Sequence, residues 1–339
     1  MRHLTPRRFA SVLALLAAAL AGSVLLGLAV GPSDLSASQV LDVLTGSEQG
    51  AAGDIVWRIR VPRVVLALLV GAALASAGVL FQALLRNPLA DPYILGVSGG
   101  AALGGIAMLS FGGAVGLGYG AVPPAAFAGA VLTTVLLYLV AGVQGRVSPT
   151  HLLLTGVVFN ASASAAIIFL ASLAGLTEGA QIFLWLIGNL SAARSDITGA
   201  VGVFLALGLV CGMVLSRSLN LLALGDENAQ QLGVDSERHK RWLLLATSLM
   251  VGAAVSVAGL VGFVGLIIPH LLRLVIGPDH RLLLPSAALA GGAFLVLCDT
   301  LARTLLGGRE LPVGAITAIV GGPLFLILLR RHGQRSIGP

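Results

Sequence analysis

Three arginines, Arg58, Arg60 and Arg63, fall within six residues, directly after Trp57 and at the mouth of a long apolar run. A guanidinium presents a planar fork of N–H donors that pairs with a carboxylate in a fixed geometry. Such a cluster can seat an acidic partner, or it can anchor a helix end among lipid headgroups with Trp57 beside it. Opposite in sign is the pair Asp226-Glu227, in a polar island between two apolar runs and bracketed by Gly225 and Gly233. Acids in a first turn favour a helix, and Ala223, Ala229 and Leu232 would give that helix an apolar stripe. A solvated loop and a docking helix are both open readings of the island. A third feature is the link from Arg86 to Ala101, with Asn87-Pro88 and Asp91-Pro92 near its start. Each residue before proline is pushed out of helical geometry, so one helix stops here and another starts. Irregular backbone at membrane depth survives only where protein or water covers it, so the link is expected to line a transport path.

Other chemistries lack their residues. The only lysine is Lys240, and no G-x-x-x-x-G-K-[ST] loop precedes it, so ATP hydrolysis is expected on another chain. The six histidines (His3, His151, His239, His270, His280 and His332) show no His-x-x-x-His spacing, and Cys211 and Cys298 form no Cys-x-x-Cys. We expect no structural metal, free cysteines in apolar surroundings, and a His270 satisfied at a helix end. The net charge of +6 comes without a basic face interleaved with aromatics, which argues against nucleic acid.

The elements that hold these residues are apolar. Hydrophobic residues make up 57% of the 339 and charged residues 10%, against about 25% charged in soluble proteins. Spans are expected at 9–30, 62–84, 123–143, 151–174, 196–216, 242–261, 283–302 and 313–330. Half-length or irregular helices are expected at 93–110 and 263–277, a reading that Pro269 supports for the second. Ala19-Leu20-Ala21 resembles a signal-peptidase site, but the run of 22 apolar residues before Gly31 is long enough to span and is read as a retained helix. Under this ten-segment threading, all but six of the 20 basic residues (Arg58, Arg60, Arg63, Arg194, Arg303 and Arg309) fall on one side. That side is therefore cytoplasmic and holds both termini. The segment Val70–Gly78 recurs as Val251–Gly259, with six of nine positions identical. Both copies precede a short proline-containing helix, which suggests two inverted five-helix repeats.

The link from Arg86 to Ala101, with the segments 66–81, 220–234 and 259–323, resembles the FecCD-type permease subunits of ABC importers for iron–siderophores, haem and cobalamin. The resemblance implies an all-α polytopic membrane protein, one permease domain over 1–339 with a cytoplasmic coupling region at 217–241. It implies that Leu224, Gly225, Asp226, Glu227, Ala229, Leu232 and Gly233 form the coupling surface for the ATPase. Arg60, Arg63 and Arg303 correspond to family arginines that receive acidic residues from the two lobes of a substrate-binding protein. Asn87 and Leu89, with Ser148 and Thr150, correspond to family gating positions, although Pro149 makes the second segment unusual. Asn160, Ser162 and Ser164 on the following span could face the cavity or bond between helices.

The implied partners are a second copy of the chain, two ATP-binding cassette subunits, a periplasmic or lipid-anchored binding protein, and membrane lipid, with no nucleic acid. No cofactor is expected on this chain, since ATP and Mg belong to the ATPase. The implied location is the bacterial inner membrane, and the expected cargo is a ferric siderophore or similar metal chelate, with cobalamin or haem as alternatives. A competing class is the ion-coupled secondary transporter. Such carriers place ionisable groups inside the membrane, whereas the central parts of the spans here hold no Asp, Glu, Lys or Arg.

Overall fold

Proline and glycine divide the apolar sequence into helices of unequal length. The computed structural model describes residues 5–33, 35–46, 50–143, 146–173, 175–191, 195–306 and 310–336. In order these form α1 (Pro6–Ala29), α2 (Ala37–Leu44), α3 (Ala51–Asp54), a π-helical turn (Ile55–Arg60) and α4 (Val61–Leu84). A 3-10 turn (Pro92–Leu95), α5 (Val97–Phe111), α6 (Val122–Ala141), α7 (Pro149–Leu173), α8 (Leu176–Ile187) and α9 (Ser195–Leu222) follow. The chain continues through α10 (Asp226–Gln231), α11 (Ser236–Ala258), α12 (Val264–Ile276), α13 (His280–Thr304) and α14 (Val313–Ser336). Among the described residues the only ladder is antiparallel and two residues long on each side, Gly142 opposite Val147 and Val143 opposite Arg146.

Among the described residues seven helices are long and apolar enough to cross a membrane, and Val97–Phe111, Val264–Ile276 and Val313–Ile327 are shorter apolar ones. Helices α4, α11 and α13 are mostly buried, while α1, α6, α7 and α9 turn most of their surface outward. Glycine sets the closeness of the core. A Cβ on Gly71 would lie 2.3 Å from the carbonyl oxygen of Gly291, and one on Gly78 would lie 1.9 Å from that of Gly265. Helix α4 therefore meets α13 and α12 backbone to backbone, the contact that small residues permit in lipid. The second copy of the repeated segment uses its glycines in the same way. A Cβ on Gly252 would lie 2.8 Å from Ala130 Cβ, and one on Gly259, at φ +67°, 2.1 Å from the Trp185 carbonyl oxygen.

The structure redraws several expected boundaries. The second span begins at Ala51 rather than 62, because the arginine-bearing stretch is itself helical and passes through the π turn. The island is shorter than 217–241, because α9 runs on to Leu222 and α11 starts at Ser236. Helix α8 falls where no element was expected. Its buried Ile182 and Trp185 hold it to the bundle, and Trp185 lies against Gly105 of α5.

Candidate translocation link, coupling helix and arginine cluster

The link leaves α4 through a tight turn. Arg86 takes φ +52°, a left-handed conformation that costs any residue with a Cβ. The Asn87 side-chain oxygen accepts from Leu89 N at 2.9 Å. The Asp91 side chain accepts from Tyr93 N at 2.9 Å and so caps the 3-10 turn. Tyr93 then ties the link to both neighbours. Its hydroxyl accepts from Val261 N at 2.9 Å, and its carbonyl accepts from Asn160 Nδ2 of α7 at 2.9 Å. Irregular backbone is thus satisfied by the link's own Asn87 and Asp91 and by Asn160 reaching in from α7, while Tyr93 serves the backbone of Val261. Arg86, Asn87 and Pro88 are exposed, and Leu89 is half-buried.

Of the polar residues on α7, Asn160 bonds to this link, whereas Ser162 turns back onto its own helix at Val158 O. Ser148 caps the start of α7, accepting from His151 N at 3.5 Å, and Thr150 is exposed. The described contacts between α7 and the link include Gly156, Phe159 and Asn160. The link is therefore joined to α7 through Tyr93 to Gly99, one turn or more beyond Ser148 and Thr150 on α7.

At the same end lies the island. Gly225 (φ +109°) and Gly233 (φ +82°) bracket α10, and left-handed backbone at both is what glycine allows. Ala229 is buried, while Leu224, Leu232 and Glu227 face outward. The expected stripe is thus divided, with Ala229 inward and Leu232 outward. Asp226 departs from the outward-facing reading of the acid pair. Its Oδ2 accepts from Lys240 Nζ at 2.9 Å and from Arg86 Nη2 at 3.2 Å, and Lys240 also reaches Glu237 at 3.0 Å. A further node fastens α9 to α13, where Asn220 donates to Asp279 at 2.9 Å and accepts from His280 N at 3.0 Å. Hydrogen bonds from Arg281 outweigh burial and, with that from Asn220, hold the Asp279 carboxyl down at about 2.

The opposite end corrects the sequence reading. Arg60, Arg63 and Arg303 are buried, not offered to solvent. Arg63 pairs with Asp299 at 3.0 Å and with Glu310 at 2.8 Å, and Arg303 pairs with Asp299 at 3.0 Å. Arg60 donates to Leu28 O at 2.6 Å, Ala29 O at 3.1 Å and Ser33 Oγ at 2.6 Å, which ties the π turn before α4 to the end of α1. The physical reason is neutralisation. Two carboxylates offset the charges of Arg63 and Arg303, and the open carbonyls of a helix end with Ser33 take up the donors of Arg60, so the three guanidiniums lie inside the bundle hydrogen-bonded. Of the cluster, Arg58 fits the exposed reading, paired with Asp54 one turn away. Glu310 also accepts from Ser191. Burial raises its pKa, but the bonds from Arg63 and Ser191 win and hold it below the usual carboxylate value.

Sequence reasoning missed Glu310, Ser191 and Asn220 as partners, because their contacts span long separations. The Asp299–Arg303 pair was legible as an i, i+4 spacing on one helix. A cavity of about 320 Å³ beside Ser191, lined by Leu66, Tyr119, Trp185, Thr198 and Ser256 among others, carries no sequence signal, since each of these comes from a different segment.

The sequence profile of the FecCD transport family matches residues 17–331. A cobalamin import system permease protein, BtuC, from Halobacterium salinarum is 46% identical over 284 residues, covering 84% of this chain and 75% of that protein. A hemin transport system permease protein, HmuU, from Yersinia pestis is 40% identical over 302 residues, covering 84% and 87%. A solved structure described as a metal-chelate type ABC transporter in an inward-facing conformation superposes with a TM-score of 0.83 at 30% identity, over 95% of this chain and 99% of the other.

Proposed function

Since the chain belongs to the FecCD transport family, where it is an ABC importer permease, we propose that it forms, with a second copy of itself, the path by which a metal chelate enters a bacterial cell. The carrying observation is the meeting of the polar link with the island: Arg86 of the link and Lys240 of α11 share the Asp226 carboxylate at the start of α10. That end faces the cytoplasm in this reading, with the ATPase against α10 and both termini on that side. The excess of arginine there supports this orientation. ATP is hydrolysed on the partner subunits. The Arg60, Arg63 and Arg303 end faces outward, where a binding protein delivers cargo.

Two inverted halves are supported by the repeated segment. Its copies lie on α4 and α11, and the C-terminal end of α4 and the N-terminal end of α11 meet at the same carboxylate, so the two helices run antiparallel. The inner gate in this reading is Asn87 and Leu89 with Ser148 and Thr150. Coupling falls to Leu224, Gly225, Glu227, Leu232 and Gly233, with Asp226 and Ala229 behind them. The cargo class is the metal chelate. Ferric siderophore was the sequence expectation, and cobalamin and hemin are named in the relatives.

The test is uptake into proteoliposomes that hold the permease with its cognate ATPase and binding protein. Labelled cobalamin, hemin and a ferric siderophore are offered in turn, with ATP inside. ATP-dependent accumulation of one chelate is expected. Accumulation driven by an ion gradient without ATP would select the secondary-transporter reading instead.

A further inference from the structure

The contact at Asp226 joins three parts of the chain that are far apart in sequence. Lys240 is buried and holds the Asp226 carboxylate at 2.9 Å, with Glu237 as its other acid at 3.0 Å. That pair fixes the start of α10 to the first turn of α11. Arg86 adds the link to the same oxygen at 3.2 Å. Its guanidinium also lies across the Gly225–Asp226 junction, since its Nη1 is 3.9 Å from where a Cβ on Gly225 would stand. Arg86 is the residue whose left-handed backbone turns the chain out of α4, and Asn87, next in sequence, sets the following turn through Leu89 N.

We propose that Asp226 is a positioning residue that transmits movement of α10 to the gate link through Arg86, with Lys240 as its fixed mounting. The inference rests on the reading of α10 as the coupling helix. It assigns Asp226 a role behind the docking surface, whereas Leu224, Leu232 and Glu227 are the groups that face a partner. The pair suits that role. Both side chains are partly solvated, at 36% for Arg86 and 28% for Asp226, so their bond adds little to stability and can be made and broken within a transport cycle. A carboxylate held on one side by a buried lysine and on the other by the first residue of the link moves the link whenever α10 moves.

The experiment measures chelate transported per ATP hydrolysed, in proteoliposomes with the ATPase and the binding protein. Arg86→Gln is expected to keep the ATPase bound and hydrolysing while chelate per ATP falls by about two- to thirty-fold, the range that changes along coupling networks produce. Asp226→Asn should lower the same ratio, and the double variant should fall no further than the worse single one, since both remove one contact. Asp226→Glu and Arg86→Lys keep the charges and should restore most of the ratio. Melting temperature and yield, read on the same preparations, separate uncoupling from misfolding.

An unchanged ratio in Arg86→Gln overturns the proposal, as do losses that add in the double variant. Loss of the ATPase from Asp226→Asn on purification also overturns it, because the aspartate would then be part of the docking face. The coupling-helix reading is tested separately by Leu224→Asp with Leu232→Asp, which should release the ATPase. If the ATPase stays bound to that variant, the reading of α10 fails whatever the ratio shows.

Discussion

Asp299 at one end of the bundle and Asp226 at the other each take two basic partners, Arg63 and Arg303 in the first case, Lys240 and Arg86 in the second. The side chain of Asp299 is 1% exposed and that of Asp226 is 28% exposed. This difference in solvation changes what the same chemistry does. A buried pair gains much from its partner but has already given up hydration, so losing one member strands a charge in a poor solvent. A half-solvated pair loses little when broken, because water replaces the partner. The Asp299 cluster therefore fastens α4 to α13, and the Asp226 cluster joins parts that need to move.

The largest expected effect tests the first half of that statement. Asp299→Ala leaves Arg63 and Arg303 without their shared carboxylate and should cost about 3–5 kcal/mol, seen as a marked loss of melting temperature in detergent or as failure to accumulate. An Asp299→Ala protein that melts like the parent would mean that the outer cluster is solvated, like the inner one.

Charge reversal of Arg60, Arg63 and Arg303 to Glu should behave in the same way, since all three are buried. Loss of uptake in that variant would therefore say nothing of binding-protein docking. Glu310 is the sharper probe, because its side chain is 42% exposed while Arg63 beside it is 6% exposed. Glu310→Gln should cost no more than about 1 kcal/mol, leaving a folded protein with Arg63 released on one side. If the arginines seat an acidic partner, affinity for the binding protein, measured in nanodiscs over a salt series, should rise in this variant and fall with salt. Affinity that ignores both the substitution and the salt would leave the arginines a purely internal role.

Next in size is the inner pair. Arg86→Gln should shift stability by only about 0–1 kcal/mol, even where transport per ATP drops. A loss of stability as large as that of Asp299→Ala would erase the distinction between the two ends.

Much of the architecture was legible because the membrane enforces it. Apolar runs bounded by Gly, Pro and Arg place the spans, and the proline pairs at Asn87-Pro88 and Asp91-Pro92 mark the break after α4. Pairing across the chain was not legible. Nothing near Arg63 in sequence points to Asp299, 236 residues away, or to Glu310, 247 away. Three arginines at a span end therefore read as a surface, although the fold turns Arg60 and Arg63 inward and leaves Arg58 exposed. The acid pair Asp226-Glu227 likewise read as one feature, and the fold separates it, one acid to Arg86 and Lys240 and the other to solvent. Helix α2 carried its signal locally, a capping box between Ser36 and Gln39 that went unread. Helix α8 carried no proline to bound it, with Glu178 as its one charged residue, and its place is set by Trp185, whose ring lies against Gly105 of α5 and whose carbonyl lies against Gly259.

The smallest effect concerns a third carboxylate, Asp279, at the same end as Asp226. At 29% its side-chain exposure is close to that of Asp226. It accepts from Arg281 and from Asn220, which hold its carboxyl at about 2, below the unfolded value of 3.8. A lowered carboxylate pKa stabilises the folded state above the unfolded value, and that contribution is lost as pH falls through the folded one. The wild-type protein should therefore lose stability from about pH 4 down to about pH 2 through this group, by about 1 kcal/mol after allowance for solvent. Asp279→Asn cannot titrate and keeps an oxygen for Asn220. Its melting temperature should start lower at pH 6 and fall less steeply toward pH 3 than that of the parent. Parallel pH profiles for the two proteins would show that Arg281 and Asn220 do not hold the Asp279 carboxyl below its unfolded value.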